Sequence, residues 1–448
     1  MFDEMTEGQA REHILSLVSS YCEKYHNQNK PYTQGSRIPF AARVYDGDEM
    51  VKLVDSAMEF WLTAGRYAGE FERKLSDYLD IPYVYAVNSG SSANLLAFAA
   101  LTSPMLGERR LKRGDEVITV AMGFPTTVSP IIQLGCVPVF VDVTIPSYNI
   151  DTSKLETALS PKTKAIFIAH TLGNPFNIKT ILEFCKKNDL YLIEDNCDAL
   201  GAEYNTGNGY HKTGTFGDIG TSSFYPAHHI TMGEGGAVYT KDPVIARILL
   251  SFRDWGRDCV CPPGVDDSCG HRFSKQFGTL PIGYDHKYVY SHLGYNLKIT
   301  DMQAAIGCAQ LDKLPGFVDK RRANWSAIQK ALSELTDYLI LPEQEPDSRP
   351  SPFGFVVTVK EGMGITRNQL AVALERKGIQ TRNVFAGNIT RHPCFETLVE
   401  GIDYRIVGDL KETDRAMNNT LWFGVYPGLT EEQIAAIADA LKTMLVTA

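Results

Sequence analysis

The chain has 448 residues, 44% of them hydrophobic and 22% charged, with a formal net charge of −9. This is the make-up of a globular protein of two or three ordinary domains, or one large α/β domain plus a smaller one, and the acidic balance excludes a global basic face for nucleic acid. The first residues, MFDEMTEGQAREH, have no apolar stretch after a basic start, and no run of about 18 apolar residues occurs, so neither a secretory leader nor a membrane span is expected and the protein reads as cytoplasmic.

Residues 1–45 carry a helical pattern (His13, Ile14, Leu17, Val18, Tyr21) and then a polar loop, an N-terminal extension. From Asp48 to Tyr78 the pattern is mostly helical, with Trp61 and Phe71 at apolar positions. Beyond Tyr83, short β-branched runs alternate with helices. The strands are predicted over 84–88, 116–120, 137–143, 165–169 and 190–194. One helix, 95–101, is opened by Ser89-Gly90-Ser91-Ser92, and another follows Gly123-Phe124-Pro125 and runs through Leu134. Two more runs, 219–225 and 237–240, bracket a turn that holds Pro226, His228, His229 and a cluster of glycines. They predict two strands joined by an exposed loop. The alternation predicts a large α/β domain over 46–310 with a mainly parallel sheet. Lys298–Leu332 reads as a helix broken or kinked at Pro315, leading into a smaller C-terminal α+β domain over 311–448.

The residues that could carry chemistry fall at the ends of these strands, where open α/β sheets place ligands. Ser89–Ser92 offers backbone N–H groups and hydroxyls to a phosphate, or simply caps its helix. Asp195 follows a strand and Phe124 opens a helix; each has an ordinary reading, as a turn carboxylate and a core aromatic. Gly220, Gly233, Gly235 and Gly236 permit close backbone approach, in a stretch that fits a plain glycine-rich hairpin with surface histidines as well as it fits a site. Five of the nine cysteines, Cys22, Cys136, Cys185, Cys308 and Cys394, are scattered and read as buried apolar residues. Cys259, Cys261 and Cys269 form Cys-x-Cys-x7-Cys within a loop, 257–271, of Pro, Gly, Asp and Ser. Closely spaced thiolates suit a soft metal, and the spacing alone fits zinc as well as an iron–sulfur cluster, with no obvious fourth ligand.

The stretch Ser223-Phe224-Tyr225-Pro226-Ala227-His228, followed by Gly233-Glu234-Gly235-Gly236, resembles the coenzyme-attachment motif of the DegT/DnrJ/StrS sugar aminotransferases. These are fold-type I, aspartate aminotransferase-like pyridoxal-phosphate enzymes that act on nucleotide-linked 4-keto sugars. In that family a lysine five residues after the serine holds the cofactor covalently; here that position is His228. Imidazole cannot make this bond but can move a proton near neutral pH. The exchange resembles one branch, the pyridoxamine-phosphate-dependent 3-dehydrases.

The resemblance implies that Gly90, Ser91 and Ser223 hold the coenzyme phosphate and that Asn296 reaches it from the neighbouring subunit of a homodimer. It also implies that Asp195 pairs with the pyridinium nitrogen, Phe124 stacks on the ring and Asn174 faces the cofactor. His228 is the expected catalytic base, with His229 its less well placed neighbour and Tyr225 a possible helper. Asp198 stands where the family has a glutamine that contacts the cofactor hydroxyl. Arg382, Arg391 and His392 are candidates for sugar or diphosphate contacts. Cys197, two residues after Asp195, supplies the missing thiolate, and Cys197, Cys259, Cys261 and Cys269 together resemble the [2Fe–2S] signature of this branch. The implied activity removes the C3 hydroxyl of a nucleotide-linked 4-keto-6-deoxyhexose, CDP-4-keto-6-deoxy-D-glucose above all, for 3,6-dideoxyhexose formation. Electrons would come from a separate flavin/iron–sulfur reductase. A dTDP-linked substrate, or a non-catalytic sugar-nucleotide binding relative, remains open.

Overall fold

The structure, a computed structural model, describes residues 2–26, 32–261 and 264–446. Residues 1 and 27–31 of the N-terminal extension, Pro262 and Pro263 of the cysteine loop, and residues 447–448 lie outside the described residues. No helix among the described residues is long and apolar enough to cross a membrane.

The central sheet has the strand order 83–87, 236–240, 219–223, 191–195, 163–169, 116–120, 137–141 and 405–406. Gly236–Thr240 runs antiparallel to both neighbours, and the other pairings are parallel. Every residue of Glu116–Val120, Tyr191–Asp195 and Ile219–Ser223 is buried, as expected of a sheet covered on both faces. Alternate residues serve opposite cores. Ile118, Val139, Ile166 and Leu192 pack to one side, while Val117, Ala165, Phe167 and Ile193 pack to the other. A second, antiparallel sheet is built from 339–340, 354–359, 420–424 and 381–382 in that order. Helices Arg367–Arg376 and Glu431–Val446 contribute Leu370, Leu374, Ile437 and Leu441 to its core.

The 48–78 segment is mostly helical, as expected, in two helices, Gly47–Glu59 and Arg66–Leu79, separated where Phe60 takes a left-handed backbone conformation. Two sequence expectations are corrected. The helix Asp301–Ala331 runs on through Pro315 without ending there. The buried Leu311, Leu314 and Val318 pack with the core of Arg66–Leu79 on either side of the proline, so tertiary contacts hold the helix through a locally unfavourable residue. The loop between Ser223 and Gly236 is not simply exposed: Phe224, His229, Ile230 and Met232 are buried. Phe224 meets Phe71 edge-on at 5.2 Å, which folds the loop inward. Of the five cysteines expected in the core, Cys22, Cys136, Cys185 and Cys308 are buried and Cys394 is exposed.

Candidate active site

A cavity of about 330 Å³ opens at the carboxyl ends of the central strands, between the two sheets. Gly90, Ser91 and Ser223 line one end of it. The Ser89 hydroxyl accepts the Ser92 amide at 3.0 Å and so caps the helix Gly90–Ala100. The first amides of an α-helix have no intrahelical acceptor and favour an anion; here they belong to Gly90 and Ser91. The Ser91 hydroxyl lies 3.4 Å from that of Thr126, which also lines the cavity. Glycine at 90 is dictated by contact: a Cβ there would sit 2.4 Å from the Ser223 Cβ and 2.8 Å from its Oγ. Gly236 is equally constrained, since a Cβ would lie 2.4 Å from the Ser89 carbonyl oxygen. The hairpin and the helix start therefore touch backbone to backbone and leave a cradle between them. Gly90→Ala is expected to cost about 1–3 kcal/mol of stability, as overpacking does, and to weaken coenzyme binding at least ~10-fold, a ~1.4 kcal/mol effect. Denaturant melts and coenzyme titration would measure the two separately.

Asp195 ends its strand inside the cavity and is 4% exposed. Its Oδ2 accepts from Asn94 Nδ2 and Thr127 Oγ1, both at 2.8 Å, and its Oδ1 accepts the Cys197 amide at 3.2 Å. Asn94 is in turn oriented by the Thr221 hydroxyl, which donates to its Oδ1 at 2.6 Å. The carboxylate is thus fixed by three elements, and spare acceptor capacity on Oδ1 remains for a cationic ring nitrogen. Phe124 stands half-exposed at the mouth.

His228 lines the same cavity. Its ring stacks on Phe353 at 5.3 Å, and its Nε2 lies 3.3 Å from Asp198 Oδ1. Its backbone is held by Arg321, whose Nη2 donates to the His228 carbonyl at 3.1 Å. Asp198 is buried; burial raises its carboxyl above the usual carboxylate range, and the His228 ring opposes that rise. Asp198 Oδ2 and His228 Nδ1 are both buried without a hydrogen-bond partner. Two orphaned polar atoms in the residues lining one cavity call for a polar ligand. His229 is a different case. It is 2% exposed, its Nε2 is engaged with the Ser351 carbonyl at 2.8 Å, and burial, reinforced by Arg321, pushes it well below the imidazole range. It is a neutral structural residue.

An anion-favouring helix start, a fixed carboxylate, a half-exposed aromatic and a buried carboxylate oxygen without a partner fit a pyridoxal- or pyridoxamine-type coenzyme. The structure does not bring every expected residue to it. Asn174, expected to face the cofactor, instead clamps a neighbouring loop: its Nδ2 donates to the Ser147 and Glu343 carbonyls and its Oδ1 accepts the Glu345 amide. Arg382 lines the cavity, whereas Arg391 pairs with Asp414 outside it and His392 is turned to the Ala386 carbonyl at 2.7 Å. The Asn296 Oδ1 accepts from Lys298, and its backbone pairs with Asp254, away from this chain's own cavity. Sequence reading missed Asn94, Thr127, Phe353 and Arg321. Asn94 and Thr127 sat beside motifs already noticed, but nothing local marks Arg321 or Phe353. Phe40, from the N-terminal extension, was missed too; it lines the cavity with its ring under the Arg382 guanidinium at 3.9 Å.

Cys259, Cys261 and Cys269 bring their sulfurs within 4.8 Å of one another. The Ser268 hydroxyl draws the Cys261 thiol down to about 7, toward the thiolate a soft metal binds. The expected fourth ligand is elsewhere: Cys197 lines the coenzyme cavity and is not part of this group. His286 lies beside the group, with its Nδ1 3.7 Å from Cys269 Sγ while its Nε2 pairs with Asp258 at 2.7 Å.

Residues 44–442 match the model of the DegT/DnrJ/EryC1/StrS aminotransferase family. The chain is 54% identical over 439 residues to the lipopolysaccharide biosynthesis protein RfbH of Salmonella typhimurium, covering 98% of each chain. It is 48% identical to dTDP-4-dehydro-2,6-dideoxy-D-glucose 3-dehydratase of Saccharopolyspora spinosa, covering 96% of this chain and 91% of that one. Among solved structures it resembles the Escherichia coli GDP-4-keto-6-deoxy-D-mannose-3-dehydratase with bound hydrated PLP, with a TM-score of 0.81 and 31% identity over 91% of this chain and 100% of the other. The fold is therefore the fold-type I, aspartate aminotransferase-like one, with a large mostly parallel sheet and a small antiparallel C-terminal sheet.

Proposed function

The chain belongs to the DegT/DnrJ/EryC1/StrS aminotransferase family, and from that premise we propose that it removes the C3 hydroxyl of a nucleotide-linked 4-keto-6-deoxyhexose in the making of a lipopolysaccharide sugar. The coenzyme is pyridoxamine 5′-phosphate, and a [2Fe–2S] cluster carries electrons from a separate flavin/iron–sulfur reductase. The observation that carries this reading is His228. An imidazole, paired with a buried carboxylate, occupies the place where an aminotransferase needs an amine. The kinship with two sugar 3-dehydratases supports the reaction class.

When bound, the coenzyme supplies an amine that condenses with the C4 ketone and a ring that withdraws electrons from the adjoining carbon. Gly90, Ser91 and Ser223 hold its phosphate, Asp195 keeps its ring nitrogen protonated, and Phe124 covers one face of the ring. His228 takes a proton from the exocyclic carbon and returns one to the departing C3 hydroxyl, which leaves as water. Phe353 fixes the plane of the imidazole and Asp198 balances the charge it acquires. The unpaired Asp198 Oδ2 accepts the hydrogen of the ring hydroxyl, and a carboxyl whose proton affinity is raised can share that proton without repelling the oxygen. Asp198→Asn is expected to lower kcat about 10-fold or more, the size of a lost charge-assisted hydrogen bond, with substrate KM little changed. Steady-state kinetics would show it.

The substrate proposed first is CDP-4-keto-6-deoxy-D-glucose. A dTDP-linked 4-keto sugar is the second reading, favoured by the 48% identity to a dTDP-sugar 3-dehydratase. Both are tested by one reconstitution. Purified protein is supplied with pyridoxamine phosphate, iron, sulfide and a flavin/iron–sulfur reductase, and is offered each sugar nucleotide in turn. A 3-deoxy product from either one selects the substrate, and no 3-deoxy product from both rejects the proposal.

A further inference from the structure

The cysteines pose a geometric problem. Three thiols meet in the loop after Arg257, and the described residues place no fourth cysteine, histidine or carboxylate within 4.8 Å of all three. Cys197, the remaining candidate, is fixed at the end of a central strand by the hydrogen bond its backbone N–H donates to the Asp195 carboxylate and by the walls of the coenzyme cavity. It cannot travel to the loop without dismantling that strand end. The loop is equally tied down. Its base is stitched to residues 289–296 by the Asp258 amide to the Val289 carbonyl at 2.9 Å, the Trp255 amide to the Tyr295 carbonyl at 2.6 Å, and backbone bridges Arg257–Tyr290 and Asp254–Asn296.

This stitched unit carries a run of exposed apolar side chains. Ile282 is 91% and Leu293 96% exposed, and Phe273, Tyr288 and Tyr290 are each more than half exposed. Apolar side chains concentrated in one segment mark a surface that is covered in the working protein. The cavity mouth presents the matching feature, with Phe124 and Tyr225 both 51% exposed. One copy therefore carries an apolar loop with three thiols and, inside a cavity with an apolar mouth, a fourth. A two-fold pairing of loop to mouth would satisfy both copies at once and leave neither feature over.

We propose that the [2Fe–2S] site is completed between two copies of this chain, by Cys259, Cys261 and Cys269 of one protomer and Cys197 of the partner subunit. The inference rests on the reading that the protein carries such a cluster. It places the electron relay directly beside the partner's coenzyme cavity, and it gives the dimer a chemical reason: neither chain alone holds four thiolates in one place.

The test uses two differently tagged versions of the full chain, expressed together. One carries Cys197→Ser; the other carries Cys259→Ser, Cys261→Ser and Cys269→Ser. Wild type, both variant homodimers and the doubly purified mixed dimer are isolated without oxygen. Iron, sulfide and visible absorbance are measured, with dimer mass and thermal melts as folding controls. The expected result is two empty homodimers and a mixed dimer with one cluster, half the wild-type content, because the mixed dimer contains one complete set of four thiols across its interface. A mixed dimer as empty as its parents, beside a loaded wild type, overturns the proposal and places the site within one chain. A loaded Cys197→Ser homodimer also overturns it and directs attention to His286. A wild type that binds no iron removes the cluster reading itself.

Discussion

Replacing His228 by asparagine is expected to lower formation of the 3-deoxy sugar by about 10²–10⁴-fold, the range over which a positioned proton-transfer group acts. Asparagine is uncharged and polar but too short to reach Asp198 from where the His228 Nε2 does, and it cannot carry a proton between the coenzyme carbon and the leaving oxygen. The cradle at Gly90 and Ser223 and the carboxylate at Asp195 are untouched, so coenzyme affinity should stay within a few-fold of wild type. A second variant separates the loss of a base from the loss of structure. His228→Lys puts an amine beside Phe353 and Asp198, where it can bond covalently to the aldehyde form of the coenzyme. After borohydride treatment and denaturation, the coenzyme should remain on the lysine variant and wash off the wild type. An asparagine variant that keeps more than a tenth of the activity would show that another group moves the proton, and the burial of His229 makes that residue a poor substitute.

Asp195→Asn is expected to be as damaging by a different route. The carboxylate receives hydrogen bonds from Asn94, Thr127 and the Cys197 amide. An amide in its place would turn an NH₂ group toward one of these donors or toward the cavity, leaving like facing like. It would also remove the negative charge that favours a protonated ring nitrogen, and with it the ring's ability to draw electrons. A loss of at least ~100-fold in kcat/KM, or ~2.7 kcal/mol of transition-state stabilisation, is expected. Weaker coenzyme binding should accompany it. Steady-state kinetics with saturating coenzyme would separate the two effects. An Asp195→Asn enzyme within tenfold of wild type would mean that the ring nitrogen does not depend on this residue.

The local pattern carried much of the fold because the physics there is local. Short β-branched runs and cap residues such as Ser89 give the strands and helices within a few residues of their limits. Where tertiary packing outweighs local preference, the pattern misleads. Pro315 sits in an unbroken helix because the core on either side holds it, and the histidine loop turns inward because Phe224 finds Phe71. At the site, the chemistry of single residues was readable in order along the chain: a histidine where lysine belongs, a carboxylate ending a strand, a glycine and serine opening a helix. Their partners were not. Arg321 lies 93 residues from His228, and Phe40 lies far from Arg382 in sequence, so only the folded chain could join them. Asn174 shows the converse: its motif looks like a ligand, while in the fold its amide clamps a loop that arrives 169 residues later.

The sequence by itself determined which functional groups this protein owns: an imidazole in place of an amine, a strand-end aspartate, and four cysteines at a distinctive spacing. Only the tertiary structure decided which of them meet. It paired His228 with Asp198, removed His229 from the chemistry by burying it, and kept Cys197 in the coenzyme cavity while three other thiols gathered in a separate loop. The reason is that side-chain identity is written residue by residue, whereas proximity is set by sheet order and loop return, which depend on contacts spread over the whole chain.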